Sequence, residues 1–317
     1  MILANQIILL TGGSGSFGNS FCEIALQHEP KEIRVFSRGE MLQKEMSRKF
    51  NDRRLSFFIG DVRDRDRLNE AMRGVDIVVH AAALKDIVVC ENNPTEAIKT
   101  NVCGAMNVVG AAVANGVGKV IGISSDKAVH PVNLYGMTKA CMEKLFIQAN
   151  TSFFPFPKHW KDDTPSFSCV RYGNVLGSRG SVVNLFKQQK DTGRVTITDE
   201  RMTRFWITLE AGVQFVIDCL DRMEGGEIFV PKLPSMKITD LATAIAPNAV
   251  QEIVGIRAGE KLHEVLISED EARHTGVWEK YYVITESRTY KYIMWVRYSS
   301  DNNTDWLTVE QMRGMIE

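Results

Sequence analysis

Two hydrophobic periods alternate along the first half of this chain. Short apolar runs at Gln6–Thr11, Ile33–Ser37, Leu55–Ile59, Asp76–Ala81, Lys119–Ser124 and Ser166–Tyr172 are bounded by polar or glycine-containing segments and predict buried strands. Between them, Asn19–His28, Met41–Phe50, Arg65–Arg73, Thr95–Asn115 and Asn133–Asn150 space their apolar residues three or four apart, as helices do. Thr95–Asn115 is rich in Ala and Val and reads as buried on most sides. Strands alternating with helices imply a parallel sheet covered on both faces, and right-handed crossovers make it doubly wound. The expected class is therefore α/β, a doubly wound Rossmann sheet with a smaller C-terminal lobe.

The pattern changes after Asn150. Thr151–Pro165 carries three prolines and reads as a loop, Glu286–Tyr298 alternates in a strand-like way, and the later elements are shorter. The expected division is residues 1–176 for a dinucleotide domain and 177–317 for a substrate lobe, with some segments returning to the main sheet.

Bulk properties narrow the partners. A net charge of -1 over 317 residues leaves no broad cationic surface for nucleic acid or anionic lipid. The start of the chain lacks a signal-peptide pattern, and no continuous apolar run of about 18 residues predicts a membrane span. The six cysteines are scattered without a CxxC pair, so they read as reduced thiols of a cytoplasmic protein, and no metal site is expected.

The first strand runs directly into Gly12-Gly13-Ser14-Gly15-Ser16-Phe17-Gly18. Glycines at this spacing let the backbone turn tightly and let a pyrophosphate approach main-chain N–H groups at a helix N-terminus. The second strand ends in Ser37-Arg38, where dinucleotide folds that choose NAD usually place a carboxylate for the ribose 2′-hydroxyl. A hydroxyl and a planar guanidinium suit a 2′-phosphate instead, so the expected cofactor is NADP. Asp61, after the third strand, could accept from the adenine amino group or cap the next helix; Val62, Ala81 and Lys85 complete the expected cofactor contacts.

Tyr135 and Lys139 lie one helical turn apart, and Ser125 ends the fifth strand ten residues earlier. A hydroxyl at Ser125 can bind the oxygen that Tyr135 deprotonates, and a nearby ammonium lowers a phenol's pKa. With the glycine turn, these three form a specific combination. The chain resembles the extended short-chain dehydrogenase/reductase superfamily. Within it, SSDKAVHPVNLYGMTK, RYGNVLGSRGS, RMTRFWIT, GGEIFVPKLPSMK and GIRAGEKLHE resemble inverting UDP-N-acetylglucosamine 4,6-dehydratases, over nearly the whole chain.

That resemblance implies a soluble NADP-dependent lyase acting on a UDP-sugar in the route to pseudaminic acid, a sugar of flagellin and surface glycans. It also implies a homo-oligomer built from dimers, up to a hexamer. Lys127 stands where common 4,6-dehydratases resemble Glu; it becomes the expected base and Asp126 the expected acid, with the Lys pKa shifted down and the Asp pKa shifted up. For both to reach substrate, the chain must leave the strand after Ser125. Lys85, Asn174, Arg204, Arg257 and Glu260 are implied substrate contacts, and Arg179 and Lys261 are further candidates for the diphosphate and uracil end. Asp86 departs from the family's usual His and could alter the pocket. His80, His130 and His263, and Trp160, Trp206 and Trp278, read as structural. Two alternatives stand beside this reading: a UDP-N-acetylhexosamine 4-epimerase, which needs no elimination, and a non-catalytic NADP-sensing protein.

Overall fold

The computed structural model describes residues 2–151, 164–177, 181–285 and 293–316. Most of the loop expected at 151–165 and the first residues of the alternating run 286–298 lie outside them.

Six strands form as expected, within a residue or two: β1 (Ile7–Thr11), β2 (Glu32–Ser37), β3 (Leu55–Ile59), β4 (Ile77–His80), β5 (Lys119–Ser125) and β6 (Ser166–Tyr172). The helices between them are α1 (Ser16–Ala25), α2 (Glu40–Phe50), α3 (Arg65–Met72), α4 (Ile87–Asn92), α5 (Pro94–Ile98), α6 (Gly104–Asn115) and α7 (Leu134–Gln148). The short helix α4 was not anticipated; Asp86 starts it by accepting from Val89 N at 2.9 Å. The single helix expected at Thr95–Asn115 is instead α5 and α6 joined by a π-helical segment, Lys99–Cys103. By length and hydropathy the run Pro94–Asn115 could cross a membrane, although the sequence suggested no such span; 56% of its apolar window is buried in the protein.

The second half contributes β7 (Asn174–Val175), α8 (Val182–Gln189), β8 (Arg194–Ile197), β9 (Thr203–Ile207), α9 (Leu209–Arg222), β10 (Ile228–Pro231), β11 (Ser235–Lys237), α10 (Ile238–Ile245), β12 (Val250–Ile253), β13 (Val265–Ile267), α11 (Glu269–Ala272), β14 (Thr275–Val277), β15 (Tyr281–Ile284), β16 (Tyr298–Ser299) and α12 (Val309–Ile316).

Among the described residues the main sheet has nine strands in the order β14-β15-β10-β6-β5-β4-β1-β2-β3. Strands β3 to β10 in that order run parallel; β15 and β14 add an antiparallel edge. The alternation along β1 explains the layering. Ile8 and Leu10 enter a core with Phe21 of α1, Met46 of α2 and Val213 of α9, whereas Leu9 enters one with Leu68 of α3, Val108 of α6 and Phe146 of α7. Fully burying a side chain such as Phe146 contributes roughly 2–3 kcal/mol. A third core joins α8, β8, β9, α10 and α12 through Phe186, Ile197, Trp206, Leu241 and Met312. Sheet order reverses between β4 and β1, where a crevice opens at the carboxyl ends of the strands.

Candidate active site

Parallel register brings the strand ends together. Thr11 lies opposite both Phe36 and His80, and Ser125 lies opposite Tyr172. The glycine turn, Ala81 and the Ser125-Asp126-Lys127 segment therefore leave the sheet on one edge. They line a cavity of about 680 Å³ whose far wall comes from the second half of the chain.

The glycines of the turn have separate causes. Gly12 has φ +68°, and a Cβ there would sit 2.8 Å from Ala82 N. At Gly18 a Cβ would fall 2.0 Å from the Gly13 carbonyl oxygen, so only glycine lets α1 pack this close to the turn. Gly15 is different: a Cβ would meet just Gly12 O, at 3.2 Å. Gly15 caps α1 without a side-chain hydrogen bond and lines the cavity with Gly12, Ser16 and Phe17. An open helix start with first-turn N–H groups and no side chain in the way fits the diphosphate of a dinucleotide. Gly13 is packed against Leu10 and Val35, and Ser14 is buried beside it.

At the end of β2, Arg38 is exposed and pairs with Asp61 at 3.7 Å. Ser37 Oγ accepts from Gln43 Nε2 at 2.9 Å. Asp61 also grips Arg63 at 2.6 Å; burial works against its charge, but Arg63 and Arg38 outweigh it and hold its carboxyl below the usual range. The next helix is capped by Asp64, not Asp61, which removes the capping alternative for Asp61. Val62 is buried against Gly104.

The chain leaves β5 as expected: Asp126–Ala128 forms a 3-10 turn, started by Ser125 Oγ accepting from Lys127 N at 3.0 Å. That turn puts both Asp126 and Lys127 on the cavity. Lys127 Nζ donates to Asp126 Oδ1 at 3.0 Å and lies 3.4 Å from Glu264 Oε1. Asp126 is fully buried, and among the described residues its Oδ2 has no hydrogen-bond partner. Burial, then the charge of Glu264, push the Asp126 pKa up against the pull of Lys127, the direction expected for an acid. Lys127 goes the opposite way from expectation. Burial opposes its charge, but Asp126 and Glu264 together hold the ammonium well above its ordinary range.

A second correction concerns Tyr135. Burial pushes its pKa up to about 12, against the charge of Lys127 and a hydrogen bond with Ser125. The expected lowering by Lys139 is missing because Lys139 Nζ turns to the Ile123 carbonyl at 2.6 Å. Burial brings Lys139 itself down to about 8. The ammonium acting on the phenol is thus that of Lys127.

Lys85, Asn174, Arg204, Arg257, Glu260 and Lys261 also line the cavity; Arg179 lies outside the described residues. Arg204 directs its donors to the carbonyls of Thr203, Leu262 and Lys261, at 2.7, 3.1 and 3.0 Å. Lys261 donates to the Val129 carbonyl, and Asn133, the cap of α7, donates to Gly259 O at 2.8 Å. The GIRAGEKLHE segment is thereby latched to the catalytic-side loop and helix. Asp86 spends its carboxylate on the α4 cap and does not line the cavity. His80 is buried with Nδ1 2.8 Å from Thr11 Oγ1, and His263 Nδ1 lies 2.8 Å from Thr203 Oγ1. Trp206 is buried, Trp278 stacks on Tyr281, and Trp160 lies outside the described residues.

Two residues of the neighbourhood were not singled out from the sequence. Glu264 is buried beside Lys127 and ends a motif that had been noticed for its other members. Asn101 sits in the π-helical segment, donates to Leu84 O and Thr138 Oγ1, and accepts from Leu84 N. It fixes the segment carrying Lys85 against α7. An amide midway along an Ala- and Val-rich helix was the available signal.

Comparison with known proteins agrees with this geometry. Residues 8–286 match the model of the polysaccharide biosynthesis protein family. The chain belongs to that family. It is 49% identical to "UDP-N-acetylglucosamine 4,6-dehydratase (inverting)" of Campylobacter jejuni serotype O:23/36, over 98% of this chain and 96% of the relative. A "UDP-glucose 4-epimerase" of Rickettsia conorii is 43% identical over 89% of this chain and 84% of its own length. Among solved structures, that of Pen from Bacillus thuringiensis superposes with a TM-score of 0.91, at 36% identity, covering 100% of this chain and 99% of that one.

Proposed function

We propose that the chain is a UDP-N-acetylglucosamine 4,6-dehydratase that inverts C5, with NADP as its resident cofactor. The carrying observation is the 3.0 Å Asp126–Lys127 contact, aimed into the same cavity as Tyr135 and the open glycine turn. The 49% identical inverting dehydratase supports the substrate class.

In this reading residues 1–176 hold the dinucleotide and 177–317 the nucleotide sugar. Gly12, Gly13, Ser14, Gly15, Ser16, Phe17 and Gly18 form the diphosphate turn, Asp61, Val62 and Ala81 flank the nucleoside, and Ser37 and Arg38 meet the 2′-phosphate. A dinucleotide held there would supply a reversible hydride acceptor, for C4 first and then back to C6 with a solvent-derived proton added at C5, so there would be no net oxidation. Ser125 holds the C4 oxygen and Tyr135, after its own proton is released to solvent with the Lys127 charge favouring the phenolate, takes the C4 hydroxyl proton, with Lys139 anchoring the end of β5 from below. Once C4 is a ketone, the C5 hydrogen is acidic and the C6 hydroxyl lies β to the carbonyl. Lys127 removes the C5 proton, and Asp126 protonates the departing C6 hydroxyl as water. Moving one proton along the 3.0 Å hydrogen bond turns the ion pair into a neutral amine and a neutral acid, the forms this step needs. Lys85, Asn174, Arg257, Glu260 and Arg179 contact the sugar nucleotide. Arg204, spent on carbonyls, keeps their wall in place.

The 43% identical epimerase favours one second reading, inversion of C4 without elimination. Incubation with UDP-N-acetylglucosamine in D₂O separates the two: the dehydratase gives a 4-keto product lighter by one water and deuterated at C5, whereas an isomeric hexosamine of unchanged formula would replace this reading by epimerisation. For the cofactor, Arg38→Asp is expected to weaken NADP by about tenfold or more while leaving NAD within about threefold. Equal losses by titration calorimetry would overturn NADP preference. Exposed Ile98, Met106 and Met137 on α5, α6 and α7 support assembly of copies, which sedimentation would report.

A further inference from the structure

We propose that Glu264 is a positioning residue for the Asp126–Lys127 pair: its carboxylate fixes where the Lys127 ammonium sits and, through its charge, the pH window in which both groups act. The proposal rests on the dehydratase reading above.

Glu264 is held rigidly. Its N–H donates to Ser300 Oγ at 2.9 Å, and Ser300 N donates to its carbonyl at 2.8 Å. The side chain is 3% exposed and faces three cations, with Lys127 Nζ at 3.4 Å and Arg204 Nε at 3.6 Å from Oε1 and Lys261 Nζ at 3.9 Å from Oε2. Among the described residues Oε2 accepts no hydrogen bond. These cations differ in what else holds them. Arg204 is fastened to three backbone carbonyls and Lys261 to that of Val129. The Lys127 ammonium is fastened by two carboxylates, Asp126 and Glu264, among the described residues. Removing Glu264 therefore leaves Arg204 and Lys261 anchored to carbonyls and leaves Lys127 held by Asp126 alone.

The charge of Glu264 acts on both members of the pair. Burial disfavours the Glu264 carboxylate, but Lys127, Arg204 and Lys261 outweigh burial and keep it ionised. An anion beside Lys127 stabilises the ammonium, and the same anion destabilises the Asp126 carboxylate. The other groups facing this point are Lys85 from the segment before α4, Tyr135 from α7, Arg204 from β9 and Lys261 from the latched loop. None of them supplies a fixed negative charge. Elimination needs Lys127 neutral and Asp126 protonated, so Glu264 moves both limits to higher pH.

The pH profile of kcat for water loss tests this in Glu264→Gln and Glu264→Asp. In Glu264→Gln both the rising and the falling limb should move to lower pH, by about one unit or more, with KM for the sugar nucleotide within about threefold of the parent. Glu264→Asp, which keeps the charge one methylene farther back, should shift both limbs the same way by about half as much. Limbs that superimpose on the parent's in Glu264→Gln overturn the proposal. Should Glu264→Gln not fold, unmoved limbs in Glu264→Asp overturn it equally. If the parent enzyme itself releases no water from UDP-N-acetylglucosamine, the dehydratase reading has failed instead.

Discussion

Two buried ion clusters lie near the carboxyl ends of β5 and β6, and they are built on opposite principles. In one, Arg171 of β6 is satisfied all round. Its Nε and one terminal nitrogen grip Glu143 of α7 at 2.9 and 2.6 Å, and its remaining donors reach Glu271 at 2.9 and 3.1 Å and the Leu266 carbonyl at 2.9 Å. Glu271 is fixed further by a capping box with Ser268 at the start of α11. In the other cluster, Asp126 Oδ2 and Glu264 Oε2 are buried without a hydrogen bond among the described residues, and Lys127 is the partly exposed member, at 22%. A bidentate guanidinium with every donor used can only tie elements together: here it joins the Tyr135 helix, the sheet and the segment after β13. A point-charge ammonium between two under-satisfied carboxylates can pass a proton to a carboxylate and take it back with little rearrangement. Under the proposed function, the difference separates a cluster that holds the fold from one arranged for chemistry.

Replacing the central cation in each cluster should therefore give opposite phenotypes. Lys127→Ala is expected to lower kcat for water loss by about 10²- to 10⁴-fold, the usual worth of a general base. Its dinucleotide affinity should stay within about twofold, and its stability should fall by less than about 1 kcal/mol, because Asp126 can take up a proton when its partner leaves. Arg171→Met should cost about 3–5 kcal/mol in urea unfolding, since Glu143 and Glu271 are left without their cation. Adding Glu143→Gln and Glu271→Gln to Arg171→Met should recover much of that loss. If Lys127→Ala unfolds as readily as Arg171→Met, the two clusters do not differ in kind.

The same contrast explains what could be read from the chain alone. The Rossmann half is written locally: each strand, turn and helix is contiguous, so hydrophobic period and glycine spacing located β1 to β6 and the turn at Gly12–Gly18. Tyr135, Lys139 and Ser125 were legible because one helical turn and one strand end carry them. The electrostatics were not. Lys127 was expected to be pushed down and Tyr135 to answer to Lys139. Burial opposes the Lys127 charge, and neighbouring Asp126 together with Glu264, more than a hundred residues away in sequence, reverses it; burial raises Tyr135, while the Ile123 carbonyl claims Lys139. Local spacing cannot report a contact made across the sheet. The break in the Thr95–Asn115 helix escaped for a related reason, since a π-helical segment keeps the apolar composition while changing the register. Arg171 lay in plain view within a recognised motif, yet its partners come from α7 and α11.

A smaller effect sharpens the comparison by sign. Burial disfavours the charged form of Glu271, but Arg171 and the Ser268 contacts outweigh it and hold its carboxyl below the ordinary range. A depressed folded-state pKa contributes stability that is complete above the unfolded value and is lost as pH falls through the folded one. Asp126 is shifted up by burial and Glu264, so its contribution has the opposite sign: ionisation weakens the fold, and protonation on acidification relieves that cost. Melting temperatures of the parent, Glu271→Gln and Asp126→Asn between about pH 6 and about pH 3 expose both signs. The parent's advantage over Glu271→Gln should shrink by about 2–4 °C across that range as the carboxylate becomes a neutral acid resembling the amide. Against Asp126→Asn the parent should instead gain ground as pH falls. Parallel curves for Asp126→Asn and Glu271→Gln would mean that both carboxyls respond alike to their cations, and that under-satisfaction at Asp126 does not mark a group poised to hold a proton.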